Sequence, residues 1–455
     1  LGTIDVIEID QLFGRYSYHL NAPEATDSKQ RRLMLIYGDN GAGKTTVLKL
    51  IWHLLSPHSS KGHRSYIAQT PFRKLALRFS SGISITAEKV DGLVGPFRLA
   101  VNQTRNRVLV DIAYHTAADF TIKSDMIQDL LTEEEAVEVG GRRVIVRRAR
   151  GDESYVSFLS SAKVAPLYLA DDRRLHSDLL SDSTQKTTIY DEYMRRGGVA
   201  LYETLEAELS PSVTLESSIQ GASEVLRRLA LGGQRSGTLN AHNVYVDVLK
   251  QLSRRQSQSD AETYARLVER LKMLGLRNDH FAEFDLVPQF DSSAFLAALG
   301  KIPRTRQQLA INVVEPFVDS LESRLEALQD SERLTREFLQ QANKFLRDKA
   351  VFFRTGEGIT VRTTKDETRL TGASLSSGER HLLLLLCSTL IARDHSNLFI
   401  IDEPELSLNV KWQRSVLQSL LRLTEGTNVQ FIAASHSIEM ITRNKPSLIR
   451  LEEQA

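Results

Sequence analysis

The residues with most to offer chemically lie in short runs far apart in the chain. Gly38-Asp39-Asn40-Gly41-Ala42-Gly43-Lys44-Thr45, followed by Thr46, matches the phosphate-binding pattern G-x-x-x-x-G-K-[ST]. It lies between an apolar run, Leu33–Tyr37, and a segment of helical spacing, 45–55. Phosphate binding needs both flanks. The glycines let the backbone N–H groups of Asn40, Gly41, Ala42 and Gly43 wrap a phosphate, and the helix N-terminus adds positive potential. Lys44 then reaches the β- and γ-oxygens, and the Thr45 hydroxyl binds Mg²⁺. The competing reading, a glycine turn with a surface lysine, does not account for the strand and helix on either side.

Leu398-Phe399-Ile400-Ile401-Asp402-Glu403 is an apolar strand that ends in two carboxylates. An acid at the end of a buried parallel strand suits Mg²⁺ coordination, so Asp402 is the expected metal holder, through water. Glu403 points the other way and is the expected general base toward an attacking water. Alone, an acid-ended strand is as often structural; together with the phosphate loop it reads as catalytic. Between the two runs, Leu375-Ser376-Ser377-Gly378-Glu379 leads into an apolar helix, 381–392. Such a serine–glycine start is either a plain N-cap or an anion site with outward hydroxyl and N–H donors.

These residues need a framework of strands and helices to hold them. Strand patterns at 4–9, 33–37, 75–79, 83–88 and 108–112 surround one helix in residues 1–115, which predicts a mixed α/β lobe carrying the phosphate loop. Residues 116–199 read as an α/β insertion. In it, Glu133, Glu134 and Glu135 precede Arg142, Arg143, Arg147, Arg148 and Arg150, a mixture that suits a solvated surface better than a phosphate-contacting patch. Residues 200–348 read as a helical insertion. Its best run is expected to start at Pro316, a first-turn proline, and to carry a seam of Val318, Leu321, Leu325 and Leu328. That predicts a helical hairpin or bundle, too short for a long coiled-coil arm. Residues 349–455 return to strands around one apolar helix and form the second lobe of the head.

Composition bounds the function. With 58 Lys+Arg against 57 Asp+Glu the net charge is +1, so the chain has no global field for DNA or acidic membranes. One cysteine, Cys387, excludes an internal disulfide framework and a cysteine zinc site, and suggests a reducing cytoplasm. No signal-peptide pattern is visible. The longest apolar run, 382–392, falls short of the ~20 residues that cross a bilayer.

In order along the chain, GDNGAGKT, LSSGE, LFIIDEPE, Ser407-Leu408-Asn409 and Ala433-Ala434-Ser435-His436 resemble an ABC-type ATPase, over roughly the first 115 and last 105 residues. The resemblance implies an α/β ATPase head with a mixed β lobe, a parallel-sheet phosphate-loop core and a helical insertion. It implies ATP and Mg²⁺ as cofactors, and a head-to-tail dimer or higher oligomer that sandwiches ATP. In that arrangement Ser376, Ser377 and Gly378 would contact the γ-phosphate in trans, His436 would be the switch histidine, and Asn409 would lie in a loop facing the other subunit. A Gln-containing loop is expected either at Gln69 or in Leu167-Tyr168-Leu169-Ala170-Asp171-Asp172-Arg173-Arg174, the second being favoured. Arg15 and Tyr16 are the candidate adenine contacts.

Transporter cassettes carry their signature far sooner after the phosphate loop, whereas 335 positions separate Gly43 from Gly378. SMC proteins have much longer arms. The closest likeness is to RecF-like and OLD-like ATPases, where Glu403-Pro404-Glu405-Leu406-Ser407-Leu408 fits an E-P-E-x-x-L stretch. About twenty residues follow His436, so no nuclease domain of the OLD type is expected there. A stand-alone ATPase of this build is similar to the ATPase subunits of anti-phage systems such as PARIS, Septu and some retrons. The expectation is a cytoplasmic, slowly turning-over ATPase that senses a phage trigger protein, controls a separate effector nuclease and makes no membrane contact. Two alternatives remain: a RecF-like repair ATPase binding DNA through Arg142, Arg147 and Arg150, and a scaffold that binds ATP structurally.

Overall fold

The computed structural model describes residues 1–23, 32–58, 62–104, 107–114, 132–139, 142–149, 152–177, 215–252 and 261–451. The chain packs as two compact units. Leu1–Leu215 with Arg380–Ala455 form the first, and Glu216–Glu379 form the second.

The first unit opens with β1 (Ile4–Leu12) and β2 (Tyr16–Asn21), an antiparallel pair. Gln11, at an irregularity near the end of β1, and Phe13 and Gly14 in the turn between the strands all take positive φ. β3 (Leu33–Tyr37) is buried along its first four residues, the pattern of a strand covered on both faces. The phosphate-loop sequence follows, then helix Lys44–Leu55, whose Val47, Leu48, Leu50, Ile51, Leu54 and Leu55 face the core. A short helix, His63–Gln69, leads into β4 (Lys74–Phe79), β5 (Ile83–Lys89), β6 (Phe97–Gln103) and β7 (Arg107–Tyr114). With β1 and β2 these complete an antiparallel sheet of order β2-β1-β4-β5-β6-β7. β2 and β6 were not among the predicted strands.

β8 (Thr132–Val139) and β9 (Arg142–Ala149) form a separate hairpin whose register sets Glu133 opposite Arg148 and Glu134 opposite Arg147. Helix Asp152–Ser161, β10 (Pro166–Leu169) and β11 (Leu175–Ser177) follow. Arg150 and much of the predicted 116–199 insertion, 116–131 and 178–199, lie outside the described residues, as do 200–214 of the predicted helical insertion.

The second unit is built on helices Leu215–Leu252, Ala261–Ala282, Ser292–Gly300 and Gln307–Asn343, closed by β12 (Lys349–Arg354), β13 (Gly358–Thr363) and β14 (Arg369–Leu370). The predicted helix start at Pro316 is corrected. The helix begins at Gln307 and runs through Pro316 for 37 residues, about 55 Å. Proline removes one N–H and crowds the carbonyl four residues back, and tertiary packing of the apolar face carries the helix past it. That face includes Ala310, Ile311, Val318, Leu325, Leu328, Leu334 and Phe338, a longer seam than the two heptads expected. Arg270 ties the adjacent helix to it, donating to Asp319 and Glu322, each at 2.7 Å. A tight crossing falls at Gly233, where a Cβ would sit 2.7 Å from the Ala327 carbonyl.

Helix Ser377–His395 returns the chain to the first unit, where β15 (Leu398–Asp402), β16 (Gln430–Ser435) and β17 (Leu448–Arg450) complete the second sheet. Its order is β11-β10-β15-β16-β3-β17, parallel except for the β10–β11 pair. The expected fold class is therefore what the chain adopts: an α/β head with an antiparallel lobe, a parallel phosphate-loop core and an inserted helical segment.

Candidate functional site

Strand register brings the site together. β16 pairs with both β15 and β3, aligning Asp402 with Ala434 and Ser435 with Tyr37. Parallel strands end on the same edge, so the phosphate loop after Tyr37, the carboxylates after Ile401 and the histidine after Ser435 leave the sheet side by side. Ligands of open parallel sheets bind at this carboxyl edge.

The candidate phosphate loop turns on two glycines. Gly41 and Gly43 take φ values of 85° and 84°. At Gly43 a Cβ would also lie 2.8 Å from Leu12 Cδ2, so that methyl would have to move; at Gly41 the space is open. Tyr18 donates its hydroxyl to the Ala42 carbonyl at 2.9 Å, anchoring the loop to the antiparallel sheet. No side chain caps the helix that starts at Lys44, so its first amides face the loop mouth. Lys44 is buried and donates to the carbonyls of Gly38 at 2.7 Å and Asp39 at 2.9 Å. Asp39, Asn40 and Gly41 are exposed, and Thr45 and Thr46 half-buried.

Asp402 is 1% exposed, and neither of its carboxylate oxygens accepts a well-formed hydrogen bond from the described residues. Burial pushes its carboxyl up to about 6; the adjacent Thr45 hydroxyl works against the rise, and Asp171 and Glu403 add to it. A buried carboxylate without donors and beside a hydroxyl is a fit for a hard cation. Glu403 follows at φ 47°, a left-handed turn that swings its side chain away from Asp402's direction, and its N–H donates to the Ala434 carbonyl at 3.0 Å. The Glu403 carboxylate lies 3.3 Å from Nδ1 of His436.

Of the two candidates for the loop beside the metal site, the structure brings Leu167 to Arg174 to Asp402. β10 pairs with β15, Asp171 faces Asp402 electrostatically, and Arg173 donates to the Ser407 hydroxyl. Gln69 is exposed at the end of its short helix. Since 167–174 contains no glutamine, the side-chain amide expected there is missing from that loop. Arg15 and Tyr16 stand at the β1–β2 turn, with the Arg15 guanidinium 4.9 Å from the Tyr16 ring centroid. Phe13 in the same turn, 45% exposed, approaches Gly43 and was not predicted. Asn409 caps helix Val410–Gln413, accepting from Trp412 N.

Ser376, Ser377 and Gly378 belong to the second unit. Ser376 Oγ accepts from Glu379 N at 3.3 Å, while Glu379 Oε2 accepts from Ser376 N at 2.7 Å and pairs with Lys349 at 2.8 Å. This is a capping box, the plainer of the two readings, and it presents the start of helix Ser377–His395.

The residue that sequence reasoning missed is Glu405. Buried to 4% exposure, its Oε1 accepts from Ser435 Oγ at 2.6 Å, His436 N at 2.9 Å and Ser437 N at 3.1 Å. The E-P-E spelling was the available signal, and it was read only as a resemblance.

Residues 247–442, less than half of the chain, match the family described as "AAA domain, putative AbiEii toxin, Type IV TA system". The match covers the capping-box, carboxylate and histidine runs but not the phosphate loop. No curated relative matches the chain. Among solved structures, it is similar to the Smc head domain of Pyrococcus furiosus with an extended coiled coil, bound to the C-terminal domain of ScpA: 12% identity, 99% of this chain and 96% of that chain, TM-score 0.37. An SmcHead bound to the C-winged helix domain of ScpA gives 11% identity over 97% and 91% of the two chains, with a TM-score of 0.36. The Smc head with coiled coil and joint of Pyrococcus yayanosii gives 14% identity over 100% and 98%, with a TM-score of 0.38. Likenesses this distant carry no argument about the site.

Proposed function

We propose that this chain is an ABC-type ATPase that binds ATP at the phosphate loop, hydrolyses it slowly, and acts as a sensor and scaffold controlling a separate effector nuclease in anti-phage defence. One observation carries the ATPase part: Lys44, Thr45, Asp402, Glu403 and His436 converge on one edge of a single parallel sheet. The backbone amides of residues 40–45 bind the phosphates. Lys44 exchanges its two carbonyl acceptors for phosphate oxygens, gaining charge-assisted hydrogen bonds. Arg15, Tyr16 and Phe13 offer a cationic and aromatic ledge for the base.

Thr45 and Asp402 would hold Mg²⁺, which when bound neutralises phosphate charge. Glu403 orients a water and takes its proton, and His436 Nδ1 holds that carboxylate in place. Ser376, Ser377 and Gly378 serve the nucleotide of a second copy, so two phosphate loops are filled in a head-to-tail dimer.

The effector-control part is supported by the helical segment between the two halves of the head, and by the AbiEii-toxin description of the matching family. The repair reading gains little, since Arg143, Arg147 and Arg148 of β9 stand in register with glutamates of β8, and only Arg142, opposite Val139, does not. The test is co-purification of tagged wild-type and Glu403→Gln protein with the products of neighbouring genes, read by native mass. A stoichiometric nuclease-like partner, enriched by Glu403→Gln, is expected. Recovery of DNA alone, or of no partner with either protein, would contradict effector control.

A further inference from the structure

Glu405 stands outside the chemistry assigned above, yet its carboxylate accepts from each of the three residues of the histidine turn, 435–437. The three hydrogen bonds to its carboxylate from the described residues converge on Oε1, while Oε2 is buried with no partner among them. A buried carboxylate that leaves one oxygen unsatisfied is costly, so its place needs a compensating role. Its donors are the residues that aim His436: the Ser435 hydroxyl and the backbone N–H groups of His436 and Ser437. The imidazole Nδ1 itself lies 3.5 Å from Glu405 Oε1 and 3.3 Å from Glu403 Oε1. Two carboxylate oxygens facing one ring nitrogen oppose a lone pair there, so in the neutral ring that nitrogen carries the hydrogen.

We propose that Glu405 is a positioning residue. It clamps the turn at 435–437 and, with Glu403, fixes His436 as the Nδ1–H tautomer, leaving Nε2 directed to the nucleotide. This rests on the ATPase reading for its consequence in catalysis, but its claim about the imidazole holds without nucleotide. Glu405 thus joins the strand bearing the carboxylates to the strand bearing the histidine, so that the base and His436 move as one piece.

The test uses the full chain labelled with ¹⁵N-histidine, with His436 assigned by the signal lost in His436→Gln. Long-range ¹H–¹⁵N spectra of the wild type, taken at a pH where the ring is neutral, should show Nδ1–H at His436; the neutral Nε2–H tautomer there overturns the proposal without any variant. Glu405→Gln, which keeps an acceptor in the same volume, should hold the tautomer and most of the turnover. Glu405→Met, which fills the volume without an acceptor, should lose the tautomer. Its kcat should fall about 10²-fold with little change in the KM for ATP, the signature of misplacement rather than lost binding. An Nδ1–H signal unchanged in Glu405→Met overturns the proposal. If the wild type neither binds nor hydrolyses ATP, the ATPase reading fails, and the tautomer spectra still decide the role of Glu405.

Discussion

Glu403 Oε1 and His436 Nδ1 lie 3.3 Å apart, each one residue beyond the end of a parallel strand and on neighbouring strands of one sheet. A one-residue slip in the β15–β16 register would separate them and turn the slipped strand's side chain to the wrong face. The geometry of the candidate site is therefore a property of strand pairing, and its supports can be tested one at a time.

Gly43 is the most constrained glycine of the phosphate loop. Gly43→Ala must place a Cβ at φ 84° and 2.8 Å from Leu12 Cδ2, and should cost about 1–3 kcal/mol. Denaturant unfolding of the variant checks this, with Gly41→Ala, which has the same backbone strain in open space, losing less. Equal losses would mean that Leu12 yields freely.

The C-terminal end of the phosphate-loop helix is held by a buried network. Arg64 pairs with Asp152 at 3.2 Å and donates to the His53 carbonyl at 2.8 Å, and both charged side chains are at most 2% exposed. Asp152 also accepts from the Tyr114 hydroxyl at 2.5 Å. Asp152→Asn leaves the guanidinium uncompensated and should destabilise by about 3–5 kcal/mol. A midpoint shift corresponding to less than about 1 kcal/mol in urea unfolding would show that the carbonyl acceptors alone suffice.

Lys89 gives a pH signature. It is buried, donates to the Ile67 and Ala68 carbonyls at 2.7 and 2.6 Å, and burial pushes its ammonium down to about 7. A neutral amine still makes both bonds. Because the folded value is lowered, the unfolded chain holds the extra proton between about 7 and the ordinary value near 10.4, so stability must rise with pH in that window. The slope is at most about 1.4 kcal/mol per unit. Between pH 7 and pH 9 the wild type should gain stability relative to Lys89→Met; parallel profiles would contradict this.

Cys387 lies inside helix Ser377–His395, fully buried, and burial pushes its thiol up to about 12. Native protein should resist alkylation at neutral pH and label only as fast as it opens. Labelling at the rate of a free thiol would show that this helix is loosely packed.

The sequence was most informative where chemistry restricts residue choice. The phosphate loop, Asp402 and Glu403 were legible because glycines, one lysine and terminal carboxylates at fixed spacing serve few purposes other than phosphate and metal binding. The start of the long helix was misread at Pro316, since local propensity does not register the burial of Ala310 and Ile311 ahead of it. Glu405 was passed over because its partners, the hydroxyl and amides at 435–437, lie thirty residues away and become neighbours only through β15–β16 pairing. Phe13 was missed for a similar reason: its approach to Gly43 depends on how the antiparallel sheet packs against the loop.

The central claim is that Lys44 and Glu403 serve one nucleotide site, and parallel measurement of ATP binding and single-turnover phosphate release tests it most directly. Wild type should bind and slowly hydrolyse ATP. Lys44→Ala should lose binding, and Glu403→Gln should bind as the wild type does while release falls 10²–10⁴-fold. Equal phosphate release from all three proteins, or no ATP binding by the wild type, would contradict the account.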